Sequence, residues 1–142
     1  MRTRADHKIE LLSSVPLFSA CTRKELRRIA SLADRVDVEA GHVLTTEGEI
    51  GHEFFAIAEG TAKVTSKGRK LAIIGPGEFF GEMSLLDQQP RSATVTADTP
   101  MSLYVVGAAD FGLLLDDVPF VARKLLKSLA GRLRDVSKSH TH

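Results

Sequence analysis

Residues 43–77 read VLTTEGEIGHEFFAIAEGTAKVTSKGRKLAIIGPG, a stretch in which short apolar runs alternate with turns that contain glycine. Further runs of the same kind follow along the chain. Six or more short strands at intervals of about 8–12 residues predict an antiparallel sandwich, roll or barrel. A parallel βαβ arrangement is not expected, because no helix-length segment separates the runs. The apolar runs are residues 43–44, 54–58, 62–65, 71–74, 93–97 and 101–106.

Helical patterns precede this β region. Residues 6–14 place Ile9 and Leu12 on one face of an amphipathic helix. Thr22 followed by Glu25 predicts a capping box, in which each side chain satisfies a free backbone N–H at the start of a second helix. The first third of the chain is therefore predicted to be helical.

Helical patterns also follow the β region. A short helix is predicted over residues 110–115, and a longer one begins at residues 117–119, where proline is tolerated in the first turn. The longer helix carries an apolar stripe at steps of three or four residues. The stripe consists of Val118, Ala122, Leu125, Leu129, Leu133 and Val136.

The composition limits the kinds of partner. The chain has 142 residues, which suits one domain, and 19 basic against 18 acidic residues leave a net charge of +1. Such a balance gives no reason to expect direct binding to nucleic acid or to a membrane surface. Cys21 is the only cysteine and favours a reducing compartment. With no apolar run of about 20 residues and no secretory signal, we expect a cytoplasmic protein without a membrane segment.

The segment 77–94, GEFFGEMSLLDQQPRSAT, does not follow the strand–turn pattern. Gly81 permits a turn that other residues resist, and residues 82–86 fit a single helical turn whose free N–H groups favour an anion. Arg91 follows nine positions after Glu82 and can pair with the same anion. A carboxylate, backbone donors and a cation together suit a ligand with hydroxyls beside one negative charge. A ribose closed by a cyclic phosphate is such a ligand.

The motif FGEMSLL at 80–86, followed by PRSAT at 90–94, resembles the phosphate-binding cassette of cyclic-nucleotide-binding domains. That family includes the bacterial catabolite activator proteins and the regulatory subunits of protein kinase A. The resemblance extends over residues 9–137. It implies a mainly β fold with flanking helices: an antiparallel, jelly-roll-like β-roll at about 36–106, N-terminal helices, and two C-terminal helices at about 108–138. Residues 1–142 would form a single domain.

The resemblance also implies roles for individual residues. Glu82 would accept a hydrogen bond from the ribose 2′-hydroxyl, and Arg91 would pair with the phosphate. Ser92 would add its hydroxyl and amide. Backbone contacts would come from the neighbouring residues. The predicted ligand-binding residues are Phe80, Gly81, Glu82, Met83, Ser84, Arg91, Ser92 and Ala93. The apolar neighbours predicted for the base are Leu71, Ile73 and Val95.

Two positions depart from the family pattern. Ser84 stands where many relatives have alanine, and this exchange of one small residue for another is expected to be harmless. Val136-Ser137 aligns with a threonine–serine pair that contacts adenine in the catabolite activators, so the adenine contact is not assured. The serine at position 92 does not settle the choice between cAMP and cGMP, although cAMP is the expected ligand.

The resemblance implies a sensor that is not an enzyme and needs no cofactor besides its cyclic nucleotide. The C-terminal helices would swing toward the filled site, with hinges at Gly107 and at residues 116–117. The C-terminal helix would then contact an effector or a second copy of the chain. Two other functions stay open: an interaction domain of the same fold without a nucleotide, and a metal-dependent β-barrel enzyme. His42 and His52 lack the spacing that a metal site of that kind needs.

Overall fold

The computed structural model describes residues 3–140, apart from the side chains of Ala5 and of residues 136–140. The helices are α1 (Arg4–Ser13), α2 (Arg23–Leu32), α3 (Glu82–Asp87), α4 (Ala108–Asp117) and α5 (Pro119–His140), and a 3-10 turn spans Pro16–Phe18. The strands are β1 (Asp34–Val38), β2 (Val43–Thr45), β3 (Glu53–Glu59), β4 (Ala62–Ser66), β5 (Arg69–Ile74), β6 (Phe79–Phe80), β7 (Thr94–Ala97) and β8 (Met101–Gly107).

The strands form two antiparallel sheets of four strands each. One has the order β1-β8-β3-β6, and the other has the order β2-β7-β4-β5. Strands that are distant in sequence pair in both sheets, as in a roll. This architecture, with helices at both ends of the chain, confirms the predicted antiparallel β-roll. The first strand begins slightly earlier than predicted, at Asp34.

The β1-β8-β3-β6 sheet contributes to two hydrophobic cores. Since neighbouring side chains of a strand point to opposite faces, Phe54 and Phe55 of β3 lie in different cores. Phe54 packs on the helices in what we call the helix-side core, together with Leu12 and Tyr104. Phe55 packs between the two sheets in what we call the roll core. Both cores therefore depend on the same central strands.

Local capping signals set where the first two helices begin. Thr22 and Glu25 form the predicted capping box at α2, with Thr22 Oγ1 accepting from the Glu25 amide at 3.1 Å. A second box, not predicted, joins Thr3 and Asp6 at the start of α1. The Lys8 ammonium donates to two carbonyls at the end of α2, each at 2.6 Å. Its positive charge stabilises the C-terminal end of that helix, where the helix dipole is negative.

The predicted apolar stripe of α5 is correct only for its first half. Val118 and Leu125 are buried in the helix-side core, together with Val121. Leu133 is 71% exposed, and at this level of the helix it is the neighbouring Arg132 that contacts the body, through Glu82 and Phe79. Val136 belongs to the side chains outside the described set. None of the described helices is both long and apolar enough to cross a membrane.

Candidate functional site

The cassette segment forms a short helix between β6 and β7. Gly81 precedes α3 with φ of +93°, a left-handed conformation that glycine adopts without strain. A Cβ atom there would lie 2.6 Å from the Glu53 carbonyl oxygen and 2.7 Å from Arg91 Nη1. Helix α3 then covers Glu82–Asp87 and ends at Gln88, whose φ is +58°. The predicted helical turn is present, and Gly81 is required by its close contacts as well as by its φ.

A cavity of about 400 Å³ lies between α3 and the inner face of the β2-β7-β4-β5 sheet. All eight of the predicted ligand-binding residues line it, at positions 80–84 and 91–93. The Met83 side chain is half-exposed, and Ser84 is buried. The structure thus brings the predicted residues together around one space large enough for a small ligand.

Arg91 is held in place by backbone carbonyls. Its Nη1 donates to the Gly81 carbonyl at 3.0 Å, and its Nη2 donates to the Glu53 carbonyl at 2.9 Å. Burial lowers the pKa of Arg91, while the carboxylates of Glu53 and Glu82 act in the opposite direction. A guanidinium carries five N–H donors and stays charged in proteins, so donors remain for an anion in the cavity.

Glu82 is a buried carboxylate with one oxygen free. Its side chain is 2% exposed, and Oε1 accepts from Arg132 Nη1 at 2.9 Å. Oε2 has no hydrogen-bond partner among the described residues. A buried carboxylate oxygen without a partner costs free energy unless a donor reaches it. It therefore suits a hydroxyl donor in the adjoining cavity.

Arg132 is a cavity residue that the sequence analysis did not predict. It comes from α5, its guanidinium lies 5.4 Å from the Phe79 ring centroid, and its side chain is half-exposed. The signal was present in the helical period, because Arg132 follows the buried Leu125 by seven positions and so shares its face. The predicted apolar stripe passed instead through Leu133.

The apolar wall of the cavity differs from the prediction at β5. Val95 lines the cavity as predicted, but Leu71 and Ile73 do not, and they are 61% and 42% exposed. Ala72 and Ile74 line it instead, because they pair with the inward-facing positions of β4. Because successive side chains of a strand point to opposite faces, an error of one position selects the wrong face. The prediction identified the correct strand, β5, but its outward-facing residues.

Other predictions concern residues away from the cavity. Within residues 3–140 no group of three or more potential metal ligands occurs. Burial raises the pKa of Cys21 to about 11, so its thiol is neutral at ordinary pH and packs beside the helix-side core. The side chains of Val136 and Ser137 lie outside the described set, and the predicted adenine contact there stays a prediction.

Comparisons with a family model, with known sequences and with solved structures all indicate the same family. Residues 35–117 match the family model for the cyclic nucleotide-binding domain. A cyclic nucleotide-gated potassium channel of Rhizobium etli is 38% identical over 87% of this chain, which matches 34% of the channel's length. A cAMP-dependent protein kinase regulatory subunit of Yarrowia lipolytica is 38% identical over 75% of this chain and 29% of its own length.

A solved structure shows the same fold. The crystal structure of the Thermus thermophilus catabolite activator protein superposes with a TM-score of 0.79 at 33% identity, over 87% of this chain and 61% of that chain. The chain thus spans about a third of the two relatives named above, and less than two thirds of this one. The chain belongs to the cyclic nucleotide-binding domain family.

Proposed function

We propose that this protein is a sensor that binds cAMP in preference to cGMP and does not catalyse a reaction. The observation that carries the proposal is that one cavity is lined both by Arg91 and by Glu82, whose buried Oε2 has no hydrogen-bond partner among the described residues. Arg91 would bind the cyclic phosphate, and Glu82 would accept the ribose 2′-hydroxyl. Ser92 and the backbone of Gly81, Met83, Ser84 and Ala93 would complete the contacts to sugar and phosphate.

The preference for cAMP is supported by the similarity to a cAMP-dependent kinase regulatory subunit. The apolar wall formed by Val64, Ala72, Ile74 and Val95 would accept a purine by burying its faces. We expect the protein to act in the cytoplasm, without a cofactor other than the cyclic nucleotide.

Signal transmission would pass through α5. The Arg132–Glu82 ion pair joins that helix to the residue that would bind the ribose, so a ligand on Glu82 changes the surroundings of Arg132 directly. The end of α5 beyond the buried Leu125 carries exposed Leu126 and Leu133. An effector or a second copy of the chain would contact this end and detect the change in helix position.

The test is a titration with cAMP and with cGMP, read by calorimetry and by thermal melting. At 100 times its dissociation constant, a ligand that binds only the folded state stabilises it by about 2.7 kcal/mol. We expect the larger rise in Tm with cAMP. The Arg91→Ala variant should lose about 2–5 kcal/mol of binding free energy, at least about thirtyfold in dissociation constant. At the same cAMP concentration, the ligand should then stabilise it by less than about 1 kcal/mol.

The matched control is Arg69→Ala, which removes an exposed arginine outside the cavity and should bind cAMP as the wild type does. If the folded wild type gave no heat with either nucleotide, the sensor would be rejected. The chain would then be better described as an interaction domain of the same fold.

A further inference from the structure

The hydroxyl of Ser84 makes two hydrogen bonds, one buried and one partly buried, that link separate segments around the cavity. Its Oγ accepts from the Gly51 amide at 2.9 Å and donates to the Gln89 carbonyl at 2.6 Å. Ser84 is 6% exposed, and Gly51 is also buried. One side chain therefore joins the segment before β3, helix α3 and the loop after α3.

Both partners of Ser84 help to place Arg91. Gln89 lies two positions before Arg91 on the same loop, directly after the left-handed residue Gln88. Gly51 lies against the guanidinium itself, since a Cβ atom on Gly51 would be 2.5 Å from Arg91 Cζ. The Arg91 amide also donates to the Glu49 carbonyl at 2.7 Å, so the two segments run side by side. Ser84 thus holds the loop that carries Arg91 and the backbone on which Arg91 lies.

Loss of this hydroxyl would leave the buried Gly51 N–H and the partly buried Gln89 carbonyl without their partner. An unpaired buried backbone group costs more than the net contribution of the bond, so the two segments would move apart to reach water. The carbonyls of Gly81 and Glu53 would still hold one side of the guanidinium, but the face against Gly51 would be free to shift. A cation that binds a phosphate with two N–H groups depends on orientation, and a shift of this kind weakens it.

We propose that the Ser84 side chain is a positioning group for Arg91. It affects the affinity for the phosphate by orienting the Arg91 guanidinium, and does not contact the ligand itself. The inference rests on the proposed function, because Arg91 must be the residue that binds the phosphate. It also replaces the expectation that serine in place of alanine is harmless at this position: in this chain, the hydroxyl carries part of the geometry.

The test measures the dissociation constant of cAMP for wild type, Ser84→Ala and Ser102→Ala. Ser102 is the matched control, since it is a buried serine whose Oγ also donates one bond, to Asp37 at 2.6 Å, and accepts one, from Arg35 at 3.1 Å, outside the cavity. We expect Ser84→Ala to bind cAMP about tenfold more weakly and Ser102→Ala to bind within about twofold of wild type. The Ser84→Cys variant keeps one donor and one acceptor at this position while weakening both bonds, and should fall between wild type and Ser84→Ala.

A second readout separates positioning from a loss of stability. The Nε–H resonance of Arg91 in the 15N-labelled protein reports the guanidinium surroundings, and it should shift and broaden in Ser84→Ala but not in Ser102→Ala. Equal affinity of wild type and both Ser84 variants, equal losses for Ser84→Ala and Ser102→Ala, or an unchanged Arg91 resonance in Ser84→Ala would each overturn the inference. If wild type itself does not bind cAMP or cGMP, it is the proposed function that fails.

Discussion

At the scale of single residues, Gly51 offers a direct way to move Arg91 without removing it. A Cβ atom at position 51 would lie 2.5 Å from both Cζ and Nε of Arg91, which forces the guanidinium away. Because the guanidinium ends a flexible side chain, the displacement should change the free energy of unfolding by only about 1 kcal/mol or less. The Gly51→Ala variant should therefore fold but bind cAMP at least about tenfold more weakly, as measured by calorimetry beside urea unfolding.

The matched control for this substitution is Gly112→Ala in α4. An added Cβ there meets nothing within 4 Å, and alanine in a helix is favoured over glycine by up to about 1 kcal/mol. This control should be slightly more stable and bind normally. Normal binding by Gly51→Ala would show that the observed position of Arg91 is not required for the ligand.

The sequence predicted the residues whose chemistry is local, and it did not predict their distant partners. Glu82 and Arg91 lie nine positions apart, so their types and spacing were sufficient to place them in one site. Ser84 bonds to Gly51, 33 positions away, and Arg132 reaches Glu82 over 50 positions. Such contacts depend on how strands and helices pack, which a motif within one segment does not contain.

At the scale of elements, α5 is a helix whose first half packs on the body and whose second half is tied to the cavity through Arg132. We expect cAMP to slow amide hydrogen exchange in residues 126–135 of wild type, because a ligand on Glu82 restrains its ion-pair partner as well. Arg132→Met keeps an unbranched side chain at this position and removes the charged guanidinium, which pairs with Glu82 and lies over the Phe79 ring. This variant should lose most of the exchange difference between free and cAMP-bound protein.

Arg134→Met is the control for that experiment, since Arg134 is exposed on the same helix and does not line the cavity. It should keep the exchange difference of wild type. If Arg132→Met kept it too, α5 would respond to the ligand through contacts other than the Arg132–Glu82 pair. Although Arg132 is half-exposed, Glu82 is buried, so Arg132→Met leaves its carboxylate without a partner among the described residues and should cost more than loss of a surface ion pair does, up to about 3–5 kcal/mol.

The ends of helices can be predicted where capping residues mark them. The inward-facing positions of strand β5 could not be predicted in this way. The Thr22–Glu25 box predicted the start of α2. A similar pair, Thr3 and Asp6, marks the start of α1, which was not predicted from a capping box. Strand β5 carries apolar residues at four successive positions, 71–74, so alternation could not show which pair faces inward. Only its pairing with β4 settles the register.

At the scale of the whole molecule, the helices and the roll share the strands β3 and β8. Leu103 lies in the roll core and Tyr104 in the helix-side core, and both are almost fully buried. Neither core can lose its part of these strands without exposing the other. This sharing supports the prediction that residues 1–142 form a single domain.

A substitution in either core should therefore destabilise both. Leu103 and Leu12 are each fully buried, one in the roll core and one in α1, and truncation of a buried leucine to alanine costs about 2–5 kcal/mol. We expect Leu103→Ala to lower the thermal midpoint of the helical circular dichroism signal as much as Leu12→Ala does, although Leu103 faces away from the helices. The thermal midpoint of the near-ultraviolet signal of Tyr104, the only tyrosine in a chain without tryptophan, should fall by the same amount as that of the helical signal. A helical transition that stayed at its wild-type temperature in Leu103→Ala would mean that the roll and the helices unfold separately.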